Sequence, residues 1–245
     1  MNTEVEGAGA PVVQLRGLNK TFLTEKVETQ ALADVSFEIR AGEYLLIQGP
    51  SGCGKSTLLS ILGLLEQPTS GEYLLQGNDT ANLGLTGRAR VRNRELGFVF
   101  QSFNLIGDLT ILENVELPLR YRKGERKATA PERAEKAMEL LKEVGIAHRA
   151  EHYPAQLSGG QQQRAAVARA LIGEPSLILA DEPTGNLDSD SEDAVMELLA
   201  ACHANGATLC VVSHNPKYQQ VADRALTLSE GRLVPASDEG CTRRK

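Results

Sequence analysis

Short apolar runs alternate with stretches of helical spacing along most of the chain. Val12–Leu18 and Ala31–Ile39 alternate loosely between apolar and polar positions and read as strands. Glu43–Gln48 (EYLLIQ) reads as a buried strand, followed by a glycine-rich turn and an apolar helix, Lys55–Leu65. Gly71–Gln76 is a further short strand, and Leu96–Gln101 (LGFVFQ) an apolar one. Pro131 and Glu132 open a helix whose apolar positions Ala134, Ala137, Met138, Leu141 and Val144 fall at helical spacing until Gly145 stops it. Another helix follows Gly160. Three strand-like runs come next, Leu177–Ala180, Thr208–Ser213 and Ala225–Ser229, with a helix, Ser191–His203, between the first two.

Strands that alternate with helices predict an α/β fold with a mainly parallel sheet covered on both faces. Strands are scarce between Ser102 and Gln163, so a helical insertion over about 102–163 is expected. Residues 1–11 and 236–245 are small or polar and predict loose tails, which leaves 12–235 as one domain.

Composition narrows the function classes. A chain of 245 residues suits one sizeable domain, and 41% hydrophobic with 24% charged residues excludes a disordered polyampholyte. The formal net charge is -6 and there is no dense basic run, so no nucleic-acid partner is expected. Aromatic residues are 4% and Trp is absent, which argues against a base-stacking platform. The longest apolar stretch, Leu58–Leu65, is broken by Ser60 and Gly63 and falls short of the roughly 18 residues that span a bilayer. The amino terminus carries acids and no apolar leader core, so cytoplasmic residence is expected. Cys53, Cys202, Cys210 and Cys241 have no metal-ligand spacing and fit a reducing compartment.

The strongest chemical signal is Gly49-Pro50-Ser51-Gly52-Cys53-Gly54-Lys55-Ser56-Thr57, which fits the phosphate-binding pattern GxxxxGK[ST] between a buried strand and a helix. Backbone N–H groups must approach a phosphate closely, and glycines remove the side chains that would block them. The helix N-terminus adds positive potential. Lys55 is expected to reach the β- and γ-phosphates, and Ser56 to ligate Mg²⁺. Leu177–Glu182 is an apolar strand ending in two carboxylates, at the strand end where open α/β sheets bind ligands. Asp181 is expected to hold Mg²⁺ through water, and Glu182 to polarise an attacking water. Alone, that pair would also suit an acidic turn after a core strand. Ser158-Gly159-Gly160-Gln161 precedes a helix and reads either as an N-cap with a tight turn or as a second phosphate site. One chain seldom needs two γ-phosphate sites, whereas two facing copies would each complete the other's.

LSGGQ between GPSGCGKST and LILADE resembles the signature of the ABC-type ATPases, over roughly Val12–Val234. The resemblance implies a P-loop NTPase core with an antiparallel β subdomain and a helical insertion. It implies ATP and Mg²⁺ as ligands and an ATP-sandwich dimer of two copies. It also implies roles for further positions: Gln101 as the glutamine loop touching Mg²⁺, Asp188 (GNLDS) as the loop crossing the dimer interface, and His214 (VVSHN) as the γ-phosphate switch. Phe22 falls where the family stacks an aromatic on adenine, though a phenylalanine there also suits the core.

Phe103–Leu119 and Ala180–Ser189 are similar to the LolD/MacB group of lipoprotein-release and macrolide-export ATPases. That similarity implies a separate integral membrane permease, an export or extraction role, and residence on the cytoplasmic face of the inner membrane. A non-transport ABC ATPase, for cluster assembly or septum association, is the alternative.

Overall fold

The computed structural model describes residues 11–23, 28–122 and 128–234. The two expected tails lie outside them, apart from Pro11, which opens the first strand.

A six-stranded sheet forms the centre, in the order β10-β9-β3-β8-β7-β6. Its strands are β3 (Tyr44–Gln48), β6 (Leu96–Phe100), β7 (Leu177–Asp181), β8 (Leu209–Val212), β9 (Arg224–Ser229) and β10 (Arg232–Val234). All neighbours pair in parallel except β10, which returns antiparallel along β9. Central parallel strands are buried on both faces, so their apolar runs are continuous, while the pleat sends alternate residues to opposite sides. Leu45 and Ile47, Leu177 and Leu179, and Cys210 and Val212 share one apolar cluster. Tyr44 and Leu46, Ile178 and Ala180, and Leu209 and Val211 share the other.

The first cluster is roofed by α1 (Lys55–Leu62) and by a second, antiparallel sheet in the order β2-β1-β4-β5. These strands are β1 (Pro11–Leu23), β2 (Glu28–Arg40), β4 (Ser70–Leu75) and β5 (Asn78–Asp79). The second cluster is covered by α5 (Gly159–Leu171) and α6 (Ser189–Ala204) through Val167, Ala170, Val195, Met196 and Leu199. The fold is therefore α/β with a mainly parallel core sheet, as the alternation of strands and helices predicts, and an antiparallel β unit, as the family resemblance implies.

A third cluster joins α3 (Ile111–Tyr121), α4 (Ala130–Glu143) and α5 through Ile111, Val115, Leu119, Ala137, Leu141, Ala165 and Ala168. Thr110 starts α3 with a capping box: its hydroxyl accepts from Glu113 N at 3.2 Å and its own N–H donates to Glu113 at 2.9 Å. Asn114 is fully buried and ties the preceding loop to this helix, donating to the carbonyls of Ile106, Leu109 and Thr110 and accepting from Ile106 N.

Several boundaries depart from expectation. The helix after the P-loop ends at Leu62 rather than Leu65, because Gly63 caps it and Leu64 turns into the left-handed region (φ 54°). A Cβ on Gly63 would lie 2.7 Å from the Phe98 ring, so this turn is held close to β6. The strands β1 and β2 run on to Leu23 and back to Glu28, because antiparallel pairing continues past the apolar alternation. No individual helix is expected at α2 (Leu85–Glu95) or at α3, although α3 lies within the helical insertion expected over about 102–163. The first buries no residue and so has no apolar stripe, and the second contains Pro118.

Candidate functional site

The P-loop runs from the end of β3 to α1, at the carboxyl edge of the central sheet. Gly49, Gly52 and Gly54 take φ of 149°, 79° and 106°, which side chains rarely adopt. A Cβ on Gly49 would lie 2.0 Å from the Leu228 carbonyl oxygen, and one on Gly54 would lie 2.5 Å from that of Ala31. Gly54 is the N-cap of α1 and brings no side-chain cap, so the first N–H groups of the helix receive no side-chain acceptor there. Lys55 folds back over the loop, its amine donating to the carbonyls of Gly49 at 2.8 Å and Pro50 at 2.9 Å. Cys53 is buried, with its sulfur 3.9 Å from that amine.

Asp181 ends β7, two strands from β3 across the sheet. Burial and the neighbouring Glu182 carboxylate push its carboxyl above the usual aspartate range, and the Lys55 ammonium works the other way. Neither the Asp181 carboxylate nor the Ser56 hydroxyl makes a hydrogen bond among the described residues. A half-buried carboxylate left in this state suits a cation.

Glu182 sits at a strained position (φ 43°), held by its N–H to the Val212 carbonyl at 2.9 Å. One carboxylate oxygen meets Nδ1 of His214 at 2.8 Å, and the other accepts from the Ser213 hydroxyl at 3.1 Å. A ring nitrogen facing a carboxylate carries its proton there, and Nε2 of the exposed His214 makes no hydrogen bond among the described residues. Glu182, His214 and Ser213 thus converge at the adjacent ends of β7 and β8.

A second group lies around α5 and α6. Ser158 is the N-cap of α5 in a reciprocal capping box, accepting from Gln161 N at 3.3 Å and donating its own N–H to Gln161 Oε1 at 3.1 Å. A Cβ on Gly159 would lie 3.3 Å from Leu187 and 3.6 Å from the Phe103 ring, and one on Gly160 would lie 2.5 Å from the Ser191 hydroxyl. Asp188 is the N-cap of α6 and accepts from the N–H and hydroxyl of Ser191, both at 3.0 Å. Those two bonds hold its carboxyl below the usual range. Gln101, just past β6, is linked to Asn186 rather than to the P-loop, by Nε2 to Oδ1 at 3.1 Å. Among the described residues no hydrogen bond joins 158–161 to 49–57.

Phe22 lies near the end of β1 and is 40% exposed, so the core reading of that position is not met. The Lys20 amine stands 4.7 Å from its ring centroid.

These residues fit a nucleotide and its metal. Open glycine backbone, a lysine and an uncapped helix N-terminus are a triphosphate's complement. One hydroxyl and one carboxylate make a sparse oxygen set, the kind Mg²⁺ uses when phosphates and water complete its shell. No group of three metal-ligating His, Cys, Asp or Glu side chains occurs among the described residues, so a full protein cage is not on offer there.

A family model described as ABC transporter matches residues 32–185, from β2 through the P-loop and LSGGQ to just past Glu182. The chain belongs to the ABC transporter family. An ABC transporter ATP-binding protein of Thermotoga maritima is 48% identical over 233 residues, covering 95% of this chain and 96% of that protein. The macrolide export ATP-binding/permease protein MacB of Brucella melitensis is 45% identical over 227 residues, but this chain spans only 34% of its length. Among solved structures, the ATP-binding cassette MJ0796 in a dimeric post-hydrolysis state bound to ADP and Pi superposes with a TM-score of 0.84 at 41% identity, covering 91% of this chain and 97% of that one. This chain is thus an ABC ATPase cassette of the transporter kind.

Sequence reasoning did not single out Ser213 or Asn186. Ser213 directly precedes His214 and Asn186 stands two residues before Asp188, and a small polar side chain near a motif residue gives no signal until its partner is placed. Arg169 was also passed over. From α5 it donates to the carbonyls of Phe103 (2.8 Å) and Asn104, which both take left-handed backbone.

Proposed function

We propose that this ABC cassette hydrolyses ATP as one half of a two-site dimer and drives export or extraction through an integral membrane permease. The observation that carries hydrolysis is Glu182, fixed between His214 and Ser213 beside the P-loop edge of the sheet.

In this reading 12–235 acts as one domain with a helical subdomain over about 102–163. Lys55 leaves its loop carbonyls and pairs with the β- and γ-phosphates, while the backbone N–H groups of Gly52–Thr57 donate to phosphate oxygens. Mg²⁺, held by Ser56, Gln101 and Asp181, would neutralise charge on the phosphate oxygens. Glu182 retains free lone pairs beyond its two hydrogen bonds and orients a water in line with the γ-phosphorus. As the water oxygen bonds to phosphorus, the bond to the β–γ bridging oxygen breaks, ADP leaves, and Glu182 accepts the proton. His214, anchored to Glu182 through Nδ1, acts as the γ-phosphate switch, and Phe22 stacks on the adenine. The Ser158–Gln161 turn and Asp188 of a second copy close the site. Their separation from the P-loop within one chain supports this exchange, as does the dimeric MJ0796 state bound to ADP and Pi.

The permease reading rests on the relatives. One of similar length is an ABC transporter ATP-binding protein, whereas the longer MacB is an ATP-binding/permease protein. Both favour transport over the cluster-assembly or septum-associated alternative. No helix among the described residues is long and apolar enough to cross a membrane. With such a permease as its partner, the cassette acts at the cytoplasmic face of the inner membrane. Affinity purification of the tagged chain from detergent-solubilised membranes tests this. A stoichiometric integral membrane protein is expected, and recovery in a complex free of any membrane-spanning chain would contradict it.

A further inference from the structure

Gln101 and Asn186 hold each other at both ends. Asn186 Nδ2 donates to the backbone carbonyl of Gln101 at 3.2 Å, and Gln101 Nε2 donates to Asn186 Oδ1 at 3.1 Å. A primary amide has one donating and one accepting end. With the Asn186 amino group committed to a carbonyl, only Oδ1 is left to face the Gln101 side chain, and only Nε2 can answer it. The pair therefore fixes the direction of the Gln101 carboxamide. One N–H of its Nε2 is used, and its Oε1 makes no hydrogen bond among the described residues.

Gly185 closes the other side. A Cβ there would lie 2.8 Å from Gln101 Nε2, and the φ of Gly185 lies outside the left-handed region. The missing side chain therefore serves the close approach of Gln101 rather than an unusual backbone. Both Gln101 and Asn186 are exposed, so neither contributes to the core, and an amide pair in water has little stability of its own.

We propose that Asn186 is a positioning residue that sets the Gln101 carboxamide so that Oε1, not the amino group, is presented to the divalent cation of the bound nucleotide. This rests on the metal role proposed above for Gln101. A hard cation takes an oxygen ligand and is repelled by an N–H end, so a carboxamide free to flip spends part of its time in the wrong sense. Asn186 removes that freedom before the nucleotide arrives, and preorganisation of this kind raises affinity without adding a contact.

The test is calorimetric binding of the non-hydrolysable analogue AMP-PNP, with Mg²⁺ and with EDTA, to the unaltered chain, Asn186→Ala, Gln101→Ala and the double variant. Asn186→Ala is expected to lose about tenfold in affinity with Mg²⁺, the scale of one or two net hydrogen bonds, and nothing in EDTA. Gln101→Ala is expected to lose at least as much with Mg²⁺, and the double variant no more than Gln101→Ala. Equal losses with Mg²⁺ and EDTA in Asn186→Ala would show a merely structural residue and overturn the proposal. Full Mg²⁺ dependence in Asn186→Ala beside a loss in Gln101→Ala would overturn it while sparing the metal role of Gln101. Full Mg²⁺ dependence in Gln101→Ala would remove that role and the proposal together.

Discussion

Glu182→Gln lowers the rate of ATP hydrolysis by about a hundredfold or more, the scale of a lost general base, while nucleotide binding persists. The substitution keeps shape and volume, and Gln at φ 43° is no more strained than Glu. The amide oxygen still accepts from Ser213 or faces His214 Nδ1, so the turn after β7 keeps its anchors. What disappears is a group able to take a proton from water. Steady-state phosphate release and thermal unfolding separate these effects: the first collapses and the second stays within a few degrees. Hydrolysis at the unaltered rate would assign water activation to another group.

Gly49→Ala has the largest expected structural effect. The new methyl carbon would sit 2.0 Å from the Leu228 carbonyl oxygen, and the backbone there has φ 149°. The clash is with backbone in β9, not with a side chain that can swing away, so β9 or the P-loop must shift. Overpacking and strain together cost about 3 kcal/mol or more. A shifted loop also turns its N–H groups away from the phosphates. Denaturant unfolding should show the lost stability, and equilibrium dialysis the loss of ATP binding. Gly52→Ala is the control, because a Cβ there meets nothing within 4 Å and adds only the strain of φ 79°. Equal stability of the Gly49→Ala and Gly52→Ala chains would refute this account of the loop.

The central sheet was legible because buried parallel strands leave continuous apolar runs: Leu45–Ile47, Leu177–Ala180 and Leu209–Val212 cannot lie on a surface. The P-loop was legible because its chemistry demands glycine at fixed spacing before a lysine. By contrast, α2 buries no residue, so no periodicity betrays it. In α3 the spacing Ile111, Val115, Leu119 is helical, but Pro118 speaks against a helix until the Thr110–Glu113 capping box and the packing on α4 and α5 outweigh it. The site divides in the same way. Lys55, Asp181 and Glu182 follow from strand ends and phosphate chemistry. His214 took its weight from family resemblance, and only the fold shows its ring nitrogen on Glu182. The Gln101–Asn186 link joins residues 85 positions apart, and no local pattern encodes such a pairing.

Sedimentation of the Glu182→Gln chain with saturating ATP and Mg²⁺, with bound nucleotide counted in the sedimenting species, bears most directly on the two-site sandwich. A dimer carrying one nucleotide per chain, which falls back to monomers when Ser158 is also replaced by a bulky residue, is the predicted result. A species that stays monomeric with its P-loop filled, both alone and with its membrane partner, would contradict it.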